Sequence, residues 1–271
     1  MGDNRLLGGI SFALSNAARS FVFGLTEGRG IQTPKGIETR RYYQQMTRFS
    51  AAFALSADIA MAALGGSRKR REKISARLGD VLSMLYLCSA ALKRFEDDGR
   101  PAEDFPLLDW AMQDALYKIQ QAFDGVIQNF PNALVRVLLG ALIFPLGQRL
   151  SPPPDHLGHQ IATLLMQPGA TRDRLTAGIY IPDDEQDAVG ALEAALASTL
   201  ACEPLLAELE KARKAGKLMA RDELLRISEA RDEGIIDAEQ ALQLDRDYAL
   251  RRKAIMVDDF APEELKAAEV L

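Results

Sequence analysis

The chain has 271 residues, of which 48% are hydrophobic, and its formal net charge at pH 7 is −5. That length suits one large helical domain or one domain with an appendage, and the apolar content allows a sizeable core. The charge excludes no class of protein, whereas the two cysteines argue against a disulfide scaffold and fit a reducing compartment.

At the N-terminus, residues 6–27 predict a first helix that is apolar around much of its circumference, followed by a connector at 28–36. The first residues lack the basic and apolar regions of a signal peptide, so we expect none. No run of 18 apolar residues occurs in the chain, and we therefore expect no membrane-spanning helix.

Residues 38–98 predict a long antiparallel helix hairpin on which the other helices pack. Gly65 and Gly66 lie between its halves, where the end of a helix needs a residue that adopts positive φ. Spacings of four and three residues place seven positions of the second half on one apolar stripe: Ile74, Leu78, Val81, Leu85, Cys88, Leu92 and Phe95. The first half has a matching stripe: Tyr42, Met46, Phe49, Phe53, Ser56, Ala60 and Ala63.

After a loop at 97–106, the pattern predicts a helix over 107–129 and another over 133–144, which Asn132 can cap. The segment 133–146 is apolar on all sides but too short to span a bilayer. Core burial is the favoured interpretation, with Val137, Leu138, Leu142 and Ile143 in the core. The alternative is a helix that dips into lipid.

Prolines 152–154 break the chain before a short helix at 156–167, and Thr171 can cap the segment that follows. Residues 179–184 are too short and proline-bound to support a sheet, so the predicted class is all-α. His156 and His159 are spaced so that both could face one metal ion. Two ordinary histidines are the favoured interpretation, because no cysteine partner lies nearby.

The remaining segment predicts helices near 188–215, 218–232 and 238–253. Asp237 and Gln240 form a capping box there, and Ile236 is placed as a staple residue. The composition becomes highly charged in this part of the chain. We therefore predict a helical bundle domain at 1–186 and a charged helical extension at 187–271.

A basic run, Arg68, Lys69, Arg70 and Arg71, begins the second helix of the hairpin, where the helix dipole disfavours cations. A solvated turn is the favoured interpretation, and contact with an anionic partner such as a lipid headgroup is the alternative. Nucleic acid fits poorly because the chain is acidic and no aromatic stacking face flanks the run. No phosphate loop, nucleophile elbow or zinc-type spacing occurs, so we assign no catalytic or metal residue.

Long blocks of the chain resemble the C-terminal region of the long bacterial acyl-CoA dehydrogenases of fatty-acid β-oxidation. The blocks are RRYYQQMTRFSAAFALSADIAMAALGG, KISARLGDVLSMLYLCSAALKRFEDDGRP, LIFPLG and PGATRDRLTAGIYIP. The resemblance is strongest over 38–182. It implies a FAD-dependent parent enzyme that oxidises fatty acyl-CoA to the trans-2-enoyl-CoA. In that family a glutamate removes the α-proton and flavin N5 accepts the β-hydride.

The family's flavin cleft, acyl channel and catalytic glutamate lie upstream of this region and are not recognisable here. We therefore assign no flavin-binding residue and expect no cofactor in this segment alone. The first hypothesis is an auxiliary helical domain that packs on the dehydrogenase core and supports homodimerisation or docking on an anionic membrane. The second is a stand-alone helical scaffold, and a complete enzyme ranks last. We expect a cytoplasmic protein, with peripheral contact to the inner face of the cell membrane under the docking hypothesis.

Overall fold

The structure, a computed structural model, describes residues 3–34, 36–65 and 72–256, with side chains from Leu14 onward. Within these residues the chain forms ten α-helices and no strand, which confirms the predicted all-α class. Packing divides the chain into two units, Met1–Thr163 and Leu164–Leu271. The domain boundary predicted at 186/187 remains a prediction.

The first unit is built from long helices joined by short connectors. Their bounds are α1 Asp3–Leu25, α2 Arg40–Leu64, α3 Glu72–Asp97, α4 Phe105–Asn129 and α5 Ala133–Ile143, with a 3₁₀ turn at Ala102–Asp104 before α4. A sixth helix, α6 Asp155–Met166, follows the proline segment. The predicted hairpin is thus present as α2 and α3. Gly65 ends α2 with a φ of +45°, as its position predicts.

The predicted stripe of α3 faces the core. Six of its seven residues are buried and Leu78 is half-buried. The principal partner of α3 is α4, and α2 packs mainly on α1. Aromatic rings fill the centre, where Phe49 stacks on Phe123 with ring centroids 5.9 Å apart and Phe144 meets Phe123 edge-on. Burial raises the pKa of the Cys88 thiol to about 12, in keeping with its predicted role as a small buried hydrophobe.

The stripe predicted for α2 is only partly correct. Phe49, Ser56 and Ala60 are buried, but Ala63 is exposed and the other predicted members are half-buried. The reason is that α2 contacts helices on several sides, namely α1, α3, α4 and α5. Its buried surface therefore extends beyond that stripe, where it includes three further polar side chains: Gln44, Gln45 and Arg48.

Helix α5 begins as predicted, because the side chain of Asn132 accepts hydrogen bonds from the amides of Leu134 and Val135. Its burial differs from the prediction. Leu139 and Ile143 are buried, whereas Val137 is 71% exposed and Leu138 is 47% exposed. The assignment of Val137 and Leu138 to the core is wrong, because α5 packs on α1 and α4 and leaves its other side uncovered.

The second unit contains four further helices: α7 Ala170–Thr176, α8 Ala188–Lys214, α9 Glu223–Asp232 and α10 Ala238–Ile255. Cys202, Leu218, Ile227 and Leu244 lie at the centre of its core. The predicted capping box is present at the start of α10.

Two predictions in the second unit are wrong. Thr171 is buried in the first turn of α7, and Gly169 occupies the cap position. Helix α9 begins later than the predicted residue 218, because Asp222 caps it by accepting a hydrogen bond from the amide of Leu225.

Candidate functional surfaces

The basic run predicted as an anionic contact lies outside the residues that the structure describes. Arg68, Lys69, Arg70 and Arg71 therefore keep their predicted role as a hypothesis. The two histidines are described, and both His156 and His159 are exposed. Across the described ranges, no group of three or more His, Cys, Asp or Glu side chains could hold a metal ion.

Three of the described helices, α2, α3 and α8, are long and apolar enough to cross a membrane by length and composition alone. Their most apolar windows are 44%, 22% and 22% buried within the fold, respectively. The requirement for an unbroken run of 18 apolar residues is thus too strict for recognising such helices. The sequence argument against a membrane-spanning helix is wrong as an exclusion.

From Leu14 onward, helix α1 packs on its neighbours through small and polar residues. Asn16, Ser20 and Gly24, one turn apart, are buried. The Asn16 amide donates a 2.8 Å hydrogen bond to the Asp58 carboxylate, and the Ser20 hydroxyl donates one of 3.1 Å to the carbonyl of Leu142. A Cβ at Gly24 would lie 2.7 Å from the ring of Pro145. We call these three residues the polar seam of α1.

Among the α1 residues from Leu14 onward, Leu14, Phe21, Val22 and Leu25 are exposed on the side away from the polar seam, and Phe23 is half-buried. The neighbouring helix α5, which packs on α1, also exposes large apolar side chains. We call this set the outer apolar surface: Leu14, Phe21, Val22 and Leu25 of α1, with Leu134, Val137 and Leu138 of α5. Their exposed fractions run from 41% at Phe21 to 75% at Leu134. A cluster of exposed large apolar side chains on two packed helices is typical of an interaction site.

A second feature is a charged cleft of roughly 280 Å³ in the first unit. We call it the arginine cleft, and its lining consists of Glu27, Arg41, Tyr42, Gln45, Arg48, Gln113, Leu116, Arg149, Leu150 and Ser151. Three arginines against one glutamate leave a net charge of +2 on these side chains. The residues come from the segment after α1, from α2 and α4, and from the segment before α6.

Glu27 is the carboxylate of the cleft, and its side chain is 14% exposed. Arg41 and Arg149 reach its two oxygens at 3.1 Å and 3.2 Å, and Arg29 lies 3.3 Å from it. Burial alone would raise the pKa of Glu27. The hydrogen bond from Arg149 and the charges of Arg41 and Arg29 outweigh burial, so the pKa is lowered. Glu27 is therefore ionised at neutral pH.

Arg48 is 6% exposed and forms no ion pair with any described residue. Its guanidinium donates to the Gln45 side chain at 3.2 Å and to the Ile143 carbonyl at 3.4 Å. Its Nε is buried without an acceptor among the described groups. The guanidinium carbon lies 5.0 Å from the centroid of the Phe49 ring, which holds it in place. Burial lowers the pKa of Arg48, although an arginine stays charged.

Gln120 positions the far wall of the cleft. Its buried side chain accepts hydrogen bonds from the amides of Arg149 and Leu150 at 3.1 Å and 3.0 Å. It also donates one of 2.9 Å to the Leu150 carbonyl. Across the cleft, Tyr42 and Gln113 both donate to Asp109. The backbone of Arg149 is thus fixed, while its side chain, 56% exposed, borders the opening.

The sequence analysis did not single out the residues of the arginine cleft. The available signal was the spacing of Arg41, Gln45 and Arg48, which places three polar residues on one side of α2. Their significance depends on Glu27 and Arg149, which no local pattern connects to them.

A flavin does not fit the described part of the chain. The arginine cleft, at roughly 280 Å³, lies just below the roughly 300–1,000 Å³ typical of ligand pockets. Its lining is dominated by arginine, glutamine and glutamate. The larger depressions, such as that between Tyr43 and Tyr86, are open grooves on helix surfaces. We therefore assign no described residue to FAD.

Comparison with protein families identifies the chain. Residues 2–260 match the family described as acyl-CoA dehydrogenase, C-terminal, bacterial type. No solved structure matches the chain. The family match covers both units of the fold, so it applies to the chain as a whole.

Proposed function

Because the chain belongs to the family of bacterial-type acyl-CoA dehydrogenase C-terminal domains, we propose that it is the auxiliary helical domain of a FAD-dependent fatty acyl-CoA dehydrogenase. In this proposal the domain packs on the catalytic core, which oxidises a fatty acyl-CoA to the trans-2-enoyl-CoA in fatty-acid β-oxidation. The core supplies the flavin and the base. A cytoplasmic location is part of the proposal and agrees with the two unpaired cysteines.

The outer apolar surface is the observation that carries the docking proposal. An amphipathic helix that lies on its own bundle normally turns its apolar side inward. Helix α1 does the reverse, because its polar seam faces the bundle and Phe21, Val22 and Leu25 face outward. Covering such side chains stabilises a complex by roughly 25 cal/mol per Å² of apolar surface removed from water.

The experiment is a titration of the purified chain with the separately expressed flavin-containing core of its parent enzyme, followed by analytical ultracentrifugation. Val22→Asp places a charge within the outer apolar surface. We expect it to weaken association by about tenfold or more, because a charge buried at an interface without a partner is strongly unfavourable. Leu82→Asp on α3 is the matched control, since Leu82 is 53% exposed and Val22 is 51% exposed.

Equal effects of the two variants, or no association of the wild-type chain with the core, would contradict the proposal. The second result would favour the alternative of a free-standing helical scaffold. Two further assays separate other partners. A dimer of the chain alone that Val22→Asp dissociates would assign the surface to self-association, and co-sedimentation of the wild-type chain with anionic vesicles would assign it to lipid.

A further inference from the structure

We propose that the arginine cleft binds the phosphate group of a small phosphorylated molecule. The proposal concerns a different surface from the docking proposal and does not rest on it. It starts from Arg48, whose guanidinium is almost completely removed from water and forms no ion pair with a described carboxylate. A buried charge is usually paired, because the loss of hydration is costly.

The other groups of the cleft compensate the Arg48 charge only in part, through the charge of Glu27. Glu27, the carboxylate among the lining residues, already binds Arg41 and Arg149. Asp109 lies behind Tyr42 and Gln113 and accepts a hydrogen bond from each. The acceptors at Arg48 are a neutral amide and a neutral carbonyl. The cleft thus keeps an excess of positive charge at its inner wall.

The size and charge of the cleft favour a phosphate over a carboxylate. The lining side chains have a net charge of +2, which a phosphate dianion balances and a single carboxylate does not. A volume of roughly 280 Å³ holds a phosphate together with a small organic group. Guanidinium groups bind phosphate through paired N–H donors, and Arg48 and Arg149 both line the cleft.

The site is also held in shape before a ligand arrives. Phe49 and Phe144 lie against the Arg48 guanidinium, with its central carbon 5.0 Å and 5.9 Å from the two ring centroids. Gln120 fixes the backbone at Arg149 from the other side. Side chains that are already ordered lose little entropy on binding, and this favours affinity for a small ligand.

The test is isothermal titration calorimetry of the 271-residue chain with inorganic phosphate, glycerol 3-phosphate and acetate, at constant ionic strength set with sodium chloride. We expect saturable binding of a phosphate compound and none of acetate. Comparison of the first two probes distinguishes the free ion from a phosphate ester. Arg48→Gln removes one charged donor group, worth about 1.5–3 kcal/mol, and should weaken binding by about ten- to hundredfold.

Arg149→Gln serves as the second variant, because its side chain is 56% exposed and lies outside the buried core. It should also weaken binding, by a smaller factor, even if Arg48→Gln fails to fold. Arg136→Gln is the control, since Arg136 is exposed on α5 and does not line the cleft. Binding that is equal for phosphate and acetate, or unchanged in Arg149→Gln, would overturn the proposal, as would an absence of phosphate binding.

Discussion

The Oε1 atom of Glu27 lies 3.2 Å from Nη1 of Arg149, although the two residues are 122 positions apart in the sequence. The contact joins the segment that follows α1 to the segment that precedes α6. Arg41 of α2 binds the other oxygen of the same carboxylate. One glutamate thus connects three parts of the first unit.

The first prediction concerns Glu27→Gln. The variant should be less stable than the wild type at pH 7 by about 1 kcal/mol, because its arginine partners are partly exposed and such pairs contribute little. The fold lowers the pKa of Glu27 below its unfolded value, so its contribution is present above pH 4.5 and is lost as the pH falls through the folded pKa.

Urea unfolding of both proteins at pH 7 and at pH 3 measures the effect of Glu27. The difference in unfolding free energy should shrink at the lower pH. A difference that grows on acidification would contradict the assignment of Glu27 as the ionised partner of Arg41 and Arg149.

The second prediction concerns the close approach of α1 at Gly24. Gly24→Ala should destabilise the first unit, because the new Cβ would meet Pro145 Cδ at 2.7 Å and the Ile143 carbonyl oxygen at 3.1 Å. Gly79→Ala is the control on α3, where a Cβ meets nothing within 4 Å. That variant should gain about 0.5–1 kcal/mol from helix propensity alone. Thermal unfolding of the two variants should therefore show shifts of opposite sign.

The third prediction compares two leucines of α3. Leu85 is 8% exposed at the middle of the buried stripe, and Leu85→Ala should cost about 2–5 kcal/mol. Leu82, three residues earlier, is 53% exposed, and Leu82→Ala should change stability by less than about 0.5 kcal/mol. Chemical denaturation of both variants gives the comparison. Similar costs at the two sites would place the buried face of α3 elsewhere.

The fourth prediction concerns a buried carboxylate in the second unit. Asp247 is fully buried and accepts hydrogen bonds from Arg251 at 2.7 Å and from Thr199 at 3.1 Å. Arg251 also pairs with Glu223 of α9. Arg251→Leu leaves the Asp247 charge without its cationic partner, so we expect a loss of about 3–5 kcal/mol.

Arg252→Leu is the control for the fourth prediction, because Arg252 is the adjacent residue of α10 and is exposed. Hydrogen exchange should show faster exchange in α8, α9 and α10 for Arg251→Leu only. Unchanged protection in that variant would show that the ion pair contributes nothing to the second unit.

The sequence predicted those parts of the fold that depend on local periodicity. The stripe of α3, the caps at Asn132 and Asp237 and the positive φ of Gly65 all follow from residues within a few positions of one another. Family membership was also predictable, because long blocks of sequence carry it.

Two of the failures involve partners that are distant in the chain, whereas the late start of α9 follows from the local cap at Asp222. The periodicity of α5 could not show that Val137 has no covering helix, since this depends on where α1 and α4 lie. Arg48 is a second example, because its burial depends on Ile143, 95 residues away. The arginine cleft could therefore not be recognised from the α2 sequence by itself.

The polar seam of α1 has a consequence for how the first unit opens. If α1 lifts from the bundle, Asn16 and Ser20 exchange their partners for water, so little apolar surface is newly hydrated along that line. The stacked rings of Phe49 and Phe123 belong to α2 and α4, so they remain packed when α1 moves. Local opening of residues 14–25 should thus require less free energy than global unfolding. A partner that binds the outer apolar surface can therefore displace α1 from the bundle without unfolding the helices beneath it.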